Sequence, residues 1–209
     1  MQPAPIPNRH PRLGLALTAI TLAVFAWSGI APYERFTWVL EVAPVCILLP
    51  LIYLVRGPFP LSPLLMVLLC LHGVILMVGG KYTYARVPIG FTVADWLGWQ
   101  RNPYDRLGHL AQGFVPALIA REVLLRTSPL VRGKWLAFLC VSIALAFSAL
   151  YELIEWQAAV WTGEAAESFL GTQGDEWDTQ WDMALALMGA IASLLLLRKA
   201  HDRSLGLAD

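Results

Sequence analysis

Six long apolar runs, separated by short polar stretches, divide the 209 residues. They fall near 13–30, 37–55, 61–80, 105–125, 135–161 and 178–197. A helix crossing a bilayer needs about 20 apolar residues, because each residue rises about 1.5 Å and the hydrocarbon core is about 30 Å thick. The pattern therefore predicts an all-α polytopic membrane protein, a bundle of six transmembrane helices forming one domain over 1–209. Basic residues set the orientation. Arg9, Arg12, Arg56, Arg126, Arg132, Lys134, Arg198, Lys199 and Arg203 all flank the runs on one side if six spans alternate. That side is expected to be cytoplasmic, with both termini there. Between the third and fourth runs, 81–104 combines Lys81, Arg86 and Arg101 with six aromatic residues. Its stretch 92–100 fits a short interfacial helix with Trp96 and Trp99 in lipid, read either as an aromatic belt or as a lid.

Composition agrees with the pattern. The chain is 57% hydrophobic and 14% charged, with a mean hydropathy of +0.59. Soluble domains carry about 25% charged residues. The formal net charge is zero, so nothing favours nucleic acid, and the expected partners are membrane lipids. Cys46, Cys70 and Cys140 lie within apolar runs and read as packing residues.

The few charges inside the runs change the picture most. A charged side chain at a helix centre costs about 2.5–3.5 kcal/mol on insertion scales, so such groups usually face one another or a watery cavity. Asp105, His109 and Gln112 share one helical face at i, i+4 and i+7. Gly108 and Gly113 leave room for a close neighbour. Asp105 also suits an N-terminal cap, and His109 a helix–helix hydrogen bond. Ser148, Glu152 and Glu155 repeat the spacing near the end of the fifth run, where the helix dipole disfavours negative charge. Asp175, Asp178 and Asp182 form a third line, and Asp175 or Asp178 also suits a helix cap.

Alternation brings the three lines to one end of the bundle. Carboxylates gathered so closely need a counter-charge, a proton or a bound cation. His109, Glu152, Glu155, Asp175, Asp178 and Asp182 are candidate ligands for a divalent cation such as magnesium, manganese, calcium or zinc. Asp105, His109, Glu152, Glu155 and Asp182 are candidate catalytic residues. Arg101, Arg106 and Gln112 are candidate substrate-binding residues, and the two arginines would equally serve as the missing counter-charge. Glu41 is placed to join this cluster. Glu122 is explained by snorkelling and a pair with Arg126, while His201 falls in the C-terminal tail.

Four stretches resemble the bacterial inner-membrane YjdF family. They are Tyr104-Asp105-Arg106-Leu107-Gly108-His109, Ser148 through Trp156, Phe169 through Asp175, and Trp177-Asp178-Thr179-Gln180 with Asp182. The resemblance spans nearly the whole chain. It implies a small multi-pass protein of the bacterial inner membrane and carries no activity with it. A looser similarity, in pattern only, is to VanZ-type membrane proteins. Three readings of the cluster stay open: a metal-dependent enzyme acting on a lipid or lipid-linked substrate at the outer leaflet, a proton-coupled transporter, and a structural polar network.

Overall fold

A computed structural model gives the fold and describes residues 10–162 and 172–207. Arg9, Phe169, Leu170 and Gly171 lie outside the described residues. The described chain is helical, with no strands. Its elements are α1 (Pro11–Gly29), α2 (Arg35–Val55), α3 (Pro63–Tyr82), α4 (Pro88–Leu97), α5 (Tyr104–Thr127), α6 (Lys134–Thr162) and α7 (Asp178–Ser204). Local sequence explains several boundaries. Proline opens α1, α3 and α4, where its missing N–H costs nothing. Glu34 caps α2 by accepting from Phe36 N and Thr37 N, and Ser62 caps α3 by accepting from Leu65 N. Gly98 ends α4 at a φ of 67°, the left-handed conformation that suits a residue without Cβ.

Among the described residues, five helices, α1, α2, α3, α6 and α7, are long and apolar enough to cross a membrane. α5 is the exception. It has 24 residues, enough to span, yet charged side chains interrupt its apolar run. Those charges point inward: Asp105, His109, Arg121 and Glu122 are all buried. A short helix is expected over 92–100; one exists but is displaced, running from Pro88 to Leu97. Trp96 and Trp99 are both exposed. The last helix continues to Ser204, beyond the expected limit near 197.

The bundle buries polar groups and exposes apolar ones. Trp135, Leu150, Leu153, Leu195 and Leu196 are exposed, while Glu41, Asp105, Glu122, Glu152 and Asp182 are buried. That inversion fits a protein whose surroundings are lipid, where apolar side chains lose nothing by facing out. Small residues hold the centre together. Ala117, Ala144 and Ala190, from α5, α6 and α7, form one buried cluster. A Cβ on Gly113 would lie 1.7 Å from the carbonyl oxygen of Ala186, and one on Gly189 would lie 2.1 Å from that of Leu110. α5 and α7 therefore touch backbone to backbone and form the most extensive helix pair. This contact sets the line of Asp105 and His109 against that of Asp178 and Asp182.

Candidate functional site

Polar residues gather at two ends of this α5–α7 pair. The acidic end collects the start of α5, the end of α6 and the start of α7. The basic end collects the start of α3, the end of α5 and the end of α7.

At the acidic end, His109 is the hub. Its Nε2 lies 3.5 Å from Asp105 Oδ1 and 3.7 Å from Asp182 Oδ2, and its Nδ1 lies 3.6 Å from Glu152 Oε1. Three helices thus supply carboxylates to one imidazole. All these separations exceed the roughly 2.7–3.2 Å of a good N–H···O hydrogen bond. His109 Nδ1 and Glu152 Oε1 are accordingly buried with no hydrogen-bond partner; Asp182 Oδ1 and Ser148 Oγ, one turn before Glu152, are also buried and unpartnered. Asp105, His109 and Asp182 each offer a ligand atom, all within 4.8 Å of one another.

Above this hub, an arginine supplies counter-charge. Arg101 Nη2 lies 3.0 Å from Asp105 Oδ2 and also pairs with Asp178, while Nη1 lies 3.5 Å from Asp175 Oδ2. The loop before α5 is stitched to the turn before α7. Arg101 donates to the Thr172 carbonyl, and Asn102 and Gln173 exchange two hydrogen bonds. Asn102 also donates to the Val87 carbonyl, tying in α4. Arg106 pairs with Asp175 at 3.5 Å and lies 5.6 Å from the Trp181 ring. A hollow of about 330 Å³ opens beside these two arginines, bordered by Gly98, Trp99 and Pro103.

Each expected residue has a definite place. Asp105, His109, Glu152 and Asp182 converge. Asp178 is buried but serves Arg101; Asp175 lies in the turn before α7 rather than on its helical face, half-buried between two arginines. Neither aspartate caps α7 through its side chain, and Asp105 does not cap α5. Glu155 is buried beside Glu152, with the charges of Glu152 and Glu41 as its principal electrostatic neighbours. Gln112 is half-buried one turn below His109.

Two tyrosines join the cluster without a signal in the sequence pattern. Tyr151 Oη donates to Glu41 Oε2 at 3.2 Å. Tyr84 is buried in a slot between helices: a Cβ on Gly79 would lie 2.3 Å from its ring, and one on Gly108 would lie 2.9 Å away. Burial pushes the Tyr84 phenol well up, and the nearby charge of Glu41 adds to the effect, so the group stays a proton donor. The two glycines are visible in the sequence, but nothing there says which ring they admit.

The basic end corrects two expectations. Glu122 does not snorkel. It is fully buried, accepting from Ser62 N at 3.0 Å, Ser62 Oγ at 2.6 Å and Arg126 Nη1 at 2.9 Å. His201 is no tail residue either. It is fully buried within α7, with Nε2 3.1 Å from Glu122 and Nδ1 3.1 Å from Arg121. Arg121 continues to Asp202 at 2.5 Å, which Arg132 approaches at 3.4 Å.

Comparison with known proteins places the molecule. The model of a family described as predicted membrane protein (DUF2238) matches residues 13–203. The chain belongs to that family. It is also 53% identical over 193 residues to the inner membrane protein YjdF of Escherichia coli (strain K12), covering 91% of this chain and 92% of the relative. No solved structure matches it. This family member is an inner-membrane protein, and its several long apolar helices fit repeated crossing of the bilayer.

Proposed function

We propose that the acidic end is a divalent-cation site of a membrane-embedded enzyme acting on a lipid or lipid-linked substrate. The observation that carries this reading is the triangle of Asp105, His109 and Asp182, beside which His109 Nδ1, Glu152 Oε1 and Asp182 Oδ1 are buried without hydrogen-bond partners. Two ligands each about 2.1 Å from a shared ion lie about 3.0–4.2 Å apart for angles between about 90 and 180°. The 3.5 and 3.7 Å separations about His109 Nε2 fall within that range. With Nε2 as the ligand atom, Nδ1 faces Glu152 at 3.6 Å, and a small closure of that gap would let the carboxylate hold the imidazole in the required tautomer. Glu152 is then a positioning group rather than a ligand. Imidazole among carboxylates favours manganese or zinc over magnesium or calcium.

A cation here would polarise an ester or phosphoryl oxygen and lower the pKa of bound water. The hollow beside Arg101 and Arg106 suits the anionic part of a substrate, and the exposed Trp96, Trp99 and Trp181 nearby suit its entry from the membrane interface. The basic end faces the cytoplasm in this reading and α5 crosses with the other five long helices, which puts the cluster toward the outer leaflet.

One observation favours a second reading. Arg101 already pairs with Asp105, Asp175 and Asp178, and Arg106 with Asp175, so two arginines offset part of the charge. The carboxyl groups that remain would then share protons, as in a relay or a structural network. Elemental analysis of purified wild type and Asp182→Asn separates the readings. Bound metal near one equivalent in wild type and a clear deficit in the variant are expected. A metal-free wild type whose melting point ignores magnesium, manganese, calcium, zinc and chelator would overturn the cation site. With a loaded site, product release from phospholipid or lipid-phosphate substrates in mixed micelles tests the enzyme. A loaded protein inert toward all of them would overturn that part alone.

A further inference from the structure

At the basic end, an open groove of about 1,320 Å³ lies between α6 and α7. It is larger than the roughly 300–1,000 Å³ of typical small-molecule pockets. Its walls are apolar side chains open to the surroundings: Phe138 is 60% exposed, Ile191 43% and Leu195 69%. Its rim carries Lys134, Arg198 and Lys199, all exposed. Among the described residues none of these three pairs with a carboxylate. The one acidic residue lining the groove, Asp202, is already taken by Arg121 and Arg132. The groove thus offers an apolar trough under an uncompensated basic rim.

We propose that this groove binds an anionic phospholipid, with acyl chains along the apolar walls and the headgroup phosphate among Lys134, Arg198 and Lys199. The occupant follows from charge and shape together. A neutral lipid would satisfy the walls and leave the rim unmatched. A soluble anion would satisfy the rim and leave the walls exposed. Basic pockets between helices near a membrane surface have the chemistry that anionic headgroups require, and each Lys or Arg close to the surface strengthens attraction about fivefold. The site is remote from the acidic cluster and does not depend on its function.

Native mass spectrometry of the detergent-released full chain tests the assignment, with phosphatidylglycerol, cardiolipin and phosphatidylcholine added in turn. Retention of phosphatidylglycerol or cardiolipin over phosphatidylcholine is expected. Lys134→Gln, Arg198→Gln and Lys199→Gln should each reduce it about fivefold, and the triple variant should abolish the preference. These side chains are exposed, so the variants should fold, and unchanged helical circular dichroism checks that they do. Arg35→Gln, an exposed arginine at the opposite end, should leave retention unchanged. Equal retention of phosphatidylcholine would overturn the proposal. So would variants that bind as wild type does, displacement of the lipid by millimolar inorganic phosphate, or a lipid-free dimer.

Discussion

The two ends of the α5–α7 pair bury similar residues and treat them oppositely. At the basic end, Glu122 receives Ser62, Arg126 and His201 at hydrogen-bonding distance, and Asp202 receives Arg121. None of these side chains leaves a buried polar atom unpartnered. At the acidic end, His109, Glu152 and Asp182 sit slightly too far apart and leave buried atoms unpartnered. Unpaired buried polar groups cost free energy, about 1–3 kcal/mol each. The contrast teaches that burial and charge alone do not mark a site. On the cation-site reading, the several unpartnered atoms gathered around His109 are what set the acidic end apart.

The contrast breaks most visibly through Glu122→Ala. Removing the carboxylate strands Arg126 and His201 in a buried network, which should cost about 3–5 kcal/mol. Denaturation in mild detergent measures this, and a loss under about 1 kcal/mol would mean that the basic end is not the structural anchor. Asp182→Asn should behave differently. Without added cation it should shift stability little, since it removes a like charge from a crowded cluster. Manganese or zinc at about one hundred times its dissociation constant should stabilise wild type by about 2.7 kcal/mol. Asp182→Asn should lose most of that gain.

The seam between the ends comes next. Gly113→Val drives a side chain into the Ala186 carbonyl and should cost about 1–3 kcal/mol by overpacking. It should also blunt the cation response, because α5 and α7 would no longer hold Asp105 and Asp182 together. A destabilised variant with an intact cation response would uncouple the seam from the site. The smallest effect concerns Glu34, which belongs to neither polar cluster. Burial opposes its ionisation, but hydrogen bonds from the Thr37 and Phe36 N–H groups outweigh this and hold its pKa below the ordinary 4.5. Its contribution should therefore be present above about pH 4.5 and fade as pH falls through the lowered folded value. Glu34→Ala should cost about 1 kcal/mol near neutral pH by removing the cap, and less in acid.

Much of this was legible in the chain. Apolar runs of about 20 residues announce membrane helices because backbone groups in lipid must bond within their own segment. The spacing of Asp105 with His109, of Ser148 with Glu152, and of Asp178 with Asp182 placed each pair on one helical face. Helical periodicity is a local property, so local sequence determines it. α5 was legible as an element although its composition is poor for a span, because its inward face carries the charges.

The tertiary structure decided which faces meet. Glu122 and His201 lie 79 positions apart, and no local rule pairs them. Tyr84 and Tyr151 reach Glu41 only because α2, α3 and α6 are folded around them. The distances about His109 depend on how closely Gly113 and Gly189 let two backbones approach. The sequence by itself determined the helices, the polar stripe on each and the end of the bundle where the stripes lie. Only the tertiary structure decided that the basic end closes into a complete hydrogen-bonded network while the acidic end stays open. That difference turns on a few tenths of an ångström between side chains on separate helices, which periodicity along one helix does not encode.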